Sequence, residues 1–354
     1  MTSRPMLRPA VPVLWRATDS VQVGDDPAVA VIVSGLPPRG TALLDLLDGH
    51  RTEDDVVAAA GHVGMAPGEV REILGGLRGC GALVDGDPAA DLLAHLPTAA
   101  RLRLAPEFGA ARPGAATADP RPGARIAARG RARVVVRGGG RIGLPLAALI
   151  AAAGVGHIHV DVRGTVGPAE VTPGGHRAED VRRPRATAAA DAIQAVAPEV
   201  DTRPLPAGVT PDFVVLVGSR RPAVVDALTP ETRRAAHLVV AVRGDRAVVG
   251  PLVLPGRTAC LHCVDLHRCD RDPAWPALAA QLATAPGEQH CSAAVAALAA
   301  ATGALQVLGH LDGGTPEAVS ASLEIGGPGG LVRRRTWTPH PRCGCTRGTQ
   351  SDVK

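Results

Sequence analysis

Four cysteines carry the clearest chemical signal in this 354-residue chain: Cys260-Leu-His-Cys263 and, far along the chain, Cys343-Gly-Cys345. Two close pairs can turn four thiolates toward one ion, and Zn²⁺ takes a tetrahedron of sulfurs. Gly344 lets the tighter second knuckle turn. Four sulfur ligands close the coordination sphere, so such a Zn²⁺ ties chain segments together and activates no water. Other readings of the pairs are a thioredoxin-type redox couple or unrelated core thiols. Cys80, Cys269 and Cys291 are left over; Cys291, beside a helix start at Ser292, is either a nucleophile with a lowered pKa or a buried helical thiol.

A second signal lies in Arg133-Val-Val-Val-Arg-Gly-Gly-Gly-Arg-Ile-Gly143. The valines predict a buried parallel strand, and Gly138, Gly140 and Gly143 have the G-x-G-x-x-G spacing of a nucleotide-binding turn. Gly138 suits a tight turn, Gly140 a close approach to phosphate, and Gly143 the packing of a helix over 144–153 on its strand. Gly154-Val-Gly-His-Ile-His-Val-Asp161 predicts a second strand ending in a carboxylate placed for a ribose hydroxyl. A solvated strand end would read the same way.

The elements that position these groups follow from pattern. Alternation of strand and helix after residue 124 predicts a doubly wound α/β domain, with a helix over 185–196 and strands over 211–217 and 237–242. Before it, extended runs at 13–16, 21–23 and 28–33 suggest an antiparallel meander. Helices follow at 41–47, from Thr52, whose hydroxyl pairs with Asp55 in a capping box, and over 67–80; residues 82–87 resemble a wing. These 87 residues read as a winged-helix-like domain. Its sheet edge at Ala28, Val29, Ala30, Val31, Ile32 and Val33, beside Val70, Ile73, Leu74 and Leu77, suits an added peptide strand; the bland reading is that these residues pack inside. Residues 88–123 read as a connecting helix and a Pro/Gly-rich linker, 124–347 as the α/β domain and 348–354 as a tail.

Composition narrows the function classes. Of 38 basic residues only Lys354 is lysine, the net charge is +4, and three tryptophans and two phenylalanines are the only aromatics. With no dense basic run, nucleic-acid binding is not expected. No membrane span and no signal pattern are read, so a cytoplasmic protein is expected.

Together, the glycine turn, the 154–161 segment, Val181-Arg-Arg-Pro-Arg-Ala186 and the paired cysteines resemble the ubiquitin-activating-enzyme-like (ThiF-like) adenylyltransferases over about 125–347. The first 87 residues resemble the PqqD-like recognition element of enzymes that modify ribosomal peptides (RiPPs). In this order the two are similar to the ThiF-like leader-peptide-binding partners of YcaO-type cyclodehydratases in thiazole/oxazole biosynthesis. The resemblance implies a precursor leader peptide and a cyclodehydratase as partners, a homodimer as an option, and a vestigial nucleotide site at Gly138, Gly140, Gly143, Asp161 and Arg185. Departures from the family pattern are specific: the second acid is replaced by Arg163, an Asn-Leu-x-Arg run is missing from 164–175, the family's lysine maps to Arg185, and its magnesium-binding aspartate maps to Gly218-Ser219. A scaffold without adenylation of its own is therefore expected, with ATP unused. The competing expectations are an active adenylyltransferase, an NAD-dependent oxidoreductase and a winged-helix regulator.

Overall fold

The computed structural model describes residues 3–7, 12–25, 30–36, 42–49, 51–79, 81–85, 96–109, 122–218, 233–243, 246–284, 291–326 and 332–345. Two compact units divide the chain, one of residues 1–128 with 312–314, the other of 129–311 with 315–354.

The first unit contains β1 (Pro5–Leu7), β2 (Val13–Ala17), β3 (Ser20–Val23), β4 (Val31–Ser34), α1 (Ala42–Asp45), α2 (Glu53–Gly61), α3 (Pro67–Gly79), β5 (Leu83–Asp85) and α4 (Thr98–Gly109). Strands β2, β3 and β4 form an antiparallel meander, with Val23 opposite both Val13 and Val31. Alternation sends Val21 and Val23 into the core, where Val31 and Val33 pack beside them. The Thr52 hydroxyl accepts from the Asp55 amide at 3.1 Å while the Asp55 carboxylate accepts from the Thr52 amide at 3.1 Å, so both ends of the capping box are made. Of the expected wing, residues 82–85 are described and 86–87 lie outside the described residues. Leu83 and Val84 are buried, and β5 pairs antiparallel with β1, because two apolar neighbours on opposite faces of a strand both need cover. Ala28, Val29 and Cys80 lie outside the described residues.

In the second unit come β6 (Arg133–Arg137), α6 (Gly140–Ala152), β7 (His157–Asp161), α7 (Arg185–Val196), β8 (Phe213–Val217), β9 (Ala236–Arg243), β10 (Arg246–Val253), α8 (Leu261–Arg271), α9 (Trp275–Thr284), α10 (Ala293–Leu311), β11 (Ala321–Gly326) and β12 (Val332–Thr336); helix α5 (Pro122–Arg131) precedes β6. Seven strands form one sheet in the order β12-β11-β10-β9-β8-β6-β7. Pairs β7/β6, β6/β8 and β8/β9 are parallel, and the remaining three are antiparallel. The connections from β6 lead to β7 on one side and the chain returns to β8 on the other, so a crevice opens at the carboxyl ends of β6 and β8.

Helix α10 corrects the expectation that no stretch approaches a membrane span: it is 19 residues long with a mean hydropathy of 1.6 in its most apolar window. On one face its apolarity has a packing cause, while Leu298 and Leu305 lie exposed on the helix. Ala296, Ala299, Ala300, Gly303, Ala304 and Val307 are buried, and a Cβ on Gly303 would come within 2.7 Å of Leu146 Cδ1 on α6. Small residues let this helix lie close to its neighbour in the core.

Candidate functional site

The crevice at β6 and β8 holds a cavity of about 460 Å³. Its wall is built by the glycine turn. Gly138 (φ +99°) has no room for a side chain, since a Cβ there would stand 2.5 Å from the carbonyl oxygen of Val217 on β8. Gly143 has a different reason: its Cβ would fall 2.1 Å from the Gly138 carbonyl oxygen, so only glycine lets the first turn of α6 fold onto β6. The helix begins at Gly140, earlier than residue 144, with Pro145 tolerated inside it.

Gly138, Gly140, Asp161 and Arg185 all line this cavity, together with Arg141, Arg163, Glu170 and Gly218. Gly143 lies behind it as the packing residue. Asp161 sits half-exposed at the end of β7, 3.7 Å from the Arg137 guanidinium. Arg185, the first residue of α7, pairs with Glu170 at 2.9 Å. Sequence reasoning passed over Glu170; the signal available was a carboxylate three residues after Gly167, the spacing of a local turn clamp.

His176 is buried near Glu170 and Asp180, and burial holds its pKa below the usual histidine range against the pull of those two carboxylates. Cys291 precedes α10, and Arg141 donates to its carbonyl oxygen at 2.8 Å. Cys291 is only partly buried and precedes the helix, and desolvation raises its thiol pKa, opposite to the lowering that a nucleophilic thiolate would need.

The four paired cysteines converge. Cys260 caps α8 and Cys263 lies in its first turn; their sulfurs are 3.8 Å apart, with Cys260 to Cys343 at 3.6 Å and Cys263 to Cys345 at 3.4 Å. A tetrahedron with Zn–S bonds of about 2.3 Å has edges of roughly 3.8 Å, so the donor set fits Zn²⁺. Burial pushes the Cys260 thiol up to about 11 and raises Cys345 as well, while at Cys263 burial is outweighed by hydrogen bonds, first that from the His340 amide, and the pKa falls.

A second group, His267, Asp270 and His340, also lies close enough together to hold an ion, and its members are engaged in hydrogen bonds. The Arg342 amide donates to His340 Nδ1 at 3.1 Å, so Nε2 carries the hydrogen that meets Asp270 at 2.6 Å. His267 Nε2 donates to the Thr338 carbonyl at 2.9 Å, and the His340 amide reaches Cys263 Sγ at 3.3 Å. These bonds fasten 338–345 to α8 and so set the positions of Cys343 and Cys345.

On the first unit, β4 is an edge strand of its sheet among the described residues. Ile32 is 53% exposed, while Ala30, Val31 and Val33 are half-buried. Of the α3 residues expected to line a groove, Val70, Leu74 and Leu77 are at most 1% exposed and belong to the core, because the apolar stripe of a short helix is consumed by covering the meander. Ile73 is the one left half-exposed. The α3 arginines are matched by acids on α2, Arg78 to Glu53 at 2.9 Å and Arg71 to Asp54 at 3.9 Å.

A family model described as the ThiF family matches residues 126–346. No curated protein matches the chain in sequence. Among solved structures the fold is similar to E. coli MccB with ATP, at 14% identity and a TM-score of 0.68 over 96% of this chain and 99% of that one. The microcin C7 biosynthetic enzyme MccB in complex with N-formylated MccA is similar at 15% identity and a TM-score of 0.63, over 97% and 99% of the two chains. The selenomethionine form of PaaA is similar at 14% identity and a TM-score of 0.65, over 93% and 98%.

Proposed function

Since the chain belongs to the ThiF family, we propose that it is a peptide-handling member that binds the leader of a RiPP precursor and delivers it to a partner YcaO-type cyclodehydratase. The observation that carries this reading is the edge strand β4, with Ile32 exposed and Ile73 accessible beside the same core. An extended leader added there would gain backbone hydrogen bonds from the strand and side-chain contacts from Ile32 and Ile73. The first unit then acts as a PqqD-like, winged-helix recognition element. The relation in fold to MccB, solved with the MccA peptide, supports a precursor peptide as the ligand.

The second unit serves as the scaffold. In an adenylating site, cations must offset the triphosphate as pyrophosphate leaves. Here Arg185 is already matched by Glu170, and the family's magnesium-binding aspartate maps by resemblance to Gly218-Ser219, of which Gly218 lines the cavity. The partner supplies the ATP chemistry, and this chain raises the concentration of substrate at that partner's active site. Cys260, Cys263, Cys343 and Cys345 hold a structural Zn²⁺, the site of action is the cytoplasm, and a homodimer is compatible with the fold.

Fluorescence anisotropy of a labelled leader peptide, titrated with the full chain without ATP, is the test. Saturable binding that persists when the core peptide is removed is expected; no binding by the folded protein would overturn the assignment. An active adenylyltransferase is the second reading, favoured by the cavity at the glycine turn with Asp161 in its wall. Peptide-dependent ATP–pyrophosphate exchange would establish it.

A further inference from the structure

The glycine turn leads into the N-terminus of α6, where unpaired amides and the helix dipole favour a negative charge. A negative charge is already there, and the chain supplies it. Glu170 ends a short turn of 3-10 helix, Pro168–Glu170. A Cβ built on Gly140 would stand 3.6 Å from Glu170 Oε1, so the carboxylate faces the glycine that a phosphate would approach.

Its position is fixed from two sides. The Gly167 amide donates to Glu170 Oε2 at 2.7 Å, a clamp from the residue's own turn. Arg185 Nε donates to Oε2 at 2.9 Å and to Oε1 at 3.1 Å, and Arg185 Nη1 is spent on the Arg163 carbonyl at 3.0 Å. The Glu170 side chain is only 17% exposed, so solvent screens it little.

We propose that Glu170 is a resident stand-in for phosphate: it occupies the anion position at Gly140, takes up the charge of Arg185, and so keeps a nucleoside triphosphate out of this cavity. Among the described lining residues the cations are Arg141, Arg163 and Arg185, and the acids are Asp161 and Glu170. Neutralising Glu170 leaves Asp161, at the ribose end, as the only acid among them, and frees Arg185 for phosphate. Glu170 thereby sets ligand class at the site. The inference rests on reading the cavity as a nucleotide site that has given up adenylation.

Isothermal titration of the full-length protein with ATP and magnesium tests it, with wild type, Glu170→Gln, Glu170→Ala and the double variant Glu170→Gln/Arg185→Ala. Adenosine serves as the phosphate-free control, and circular dichroism melts confirm folding. Both single variants should bind ATP roughly tenfold or more tighter than wild type, equivalent to about 1.4 kcal/mol. Adenosine binding should not change, and the double variant should lose the gain. Tight ATP binding by wild type, no gain in either folded single variant, or an equal gain for adenosine would each overturn the proposal. Leader-peptide anisotropy on the same preparations separates the two ideas: leader binding without an ATP gain sinks only the role of Glu170, and an ATP gain without leader binding sinks only the scaffold.

Discussion

Cys263 Sγ lies 3.4 Å from Cys345 Sγ across 82 positions of sequence, and Cys263 is fully buried. That closure brings the chain segment after β12 back onto the first turn of α8. The expected outcome is about one zinc per purified chain, read by metal analysis. Chelation, or Cys343→Ser, should release it and cost about 3 kcal/mol or more of stability, since metal loss ranks among the largest single-site effects. A protein that purifies without metal and melts the same after chelation has no such centre.

The peptide edge can be separated from the core by substitution. Ile32→Glu and Ile73→Glu place charge where a leader strand would pack, and should weaken leader binding roughly tenfold with little change in melting, as central contacts of an interface do. Leu74→Ala, at a fully buried site, should instead cost about 2–5 kcal/mol of stability. Strand β2 is the opposite edge of the same sheet, with Trp15 63% exposed. Should Trp15→Ser abolish leader binding while Ile32→Glu does not, the peptide docks on β2.

The glycines of the turn should not be equivalent. Gly143→Ala drives a methyl into the Gly138 carbonyl and should lower the melting temperature most, by the equivalent of about 1–3 kcal/mol or more. Gly140→Ala meets only the tip of Glu170 at 3.6 Å, so its cost comes from the +63° φ alone, about 1 kcal/mol. Equal melting temperatures for the two variants would contradict the turn described above.

Acid should weaken the second unit through its buried histidines. Burial lowers the pKa of His176, His237 and His310 in the folded chain. Below about pH 6.5 the unfolded state therefore binds more protons than the folded one, so stability falls as pH drops and is recovered as pH rises. His237 is the clearest case: Nδ1 donates to the Ala235 carbonyl at 3.0 Å and Nε2 has no partner among the described residues. Denaturant melts at pH 7.5 and 5.5 should show the loss, and His237→Gln should reduce the difference between them. A variant with the full wild-type difference would exclude His237 as a source.

The sequence alone determined the short-range features. The spacing of Gly138, Gly140 and Gly143 forced a strand–turn–helix, Thr52 and Asp55 closed a cap, and two tight cysteine pairs marked residues that could hold a metal, because each depends on groups a few residues apart. Tertiary structure decided which faces were spent and which were left. Val70, Leu74 and Leu77 read as groove residues in sequence, yet the periodicity that marks an apolar face is blind to whether the chain's own meander or a partner covers it. Likewise β12, the antiparallel half of the sheet and the pairing of β5 with β1 depend on strand order, which local pattern does not encode. Glu170 shows the same division. As a residue in a turn it is unremarked; only the fold carries its carboxylate to Gly140 and Arg185, where position in space gives an ordinary acid its effect on what the cavity can hold.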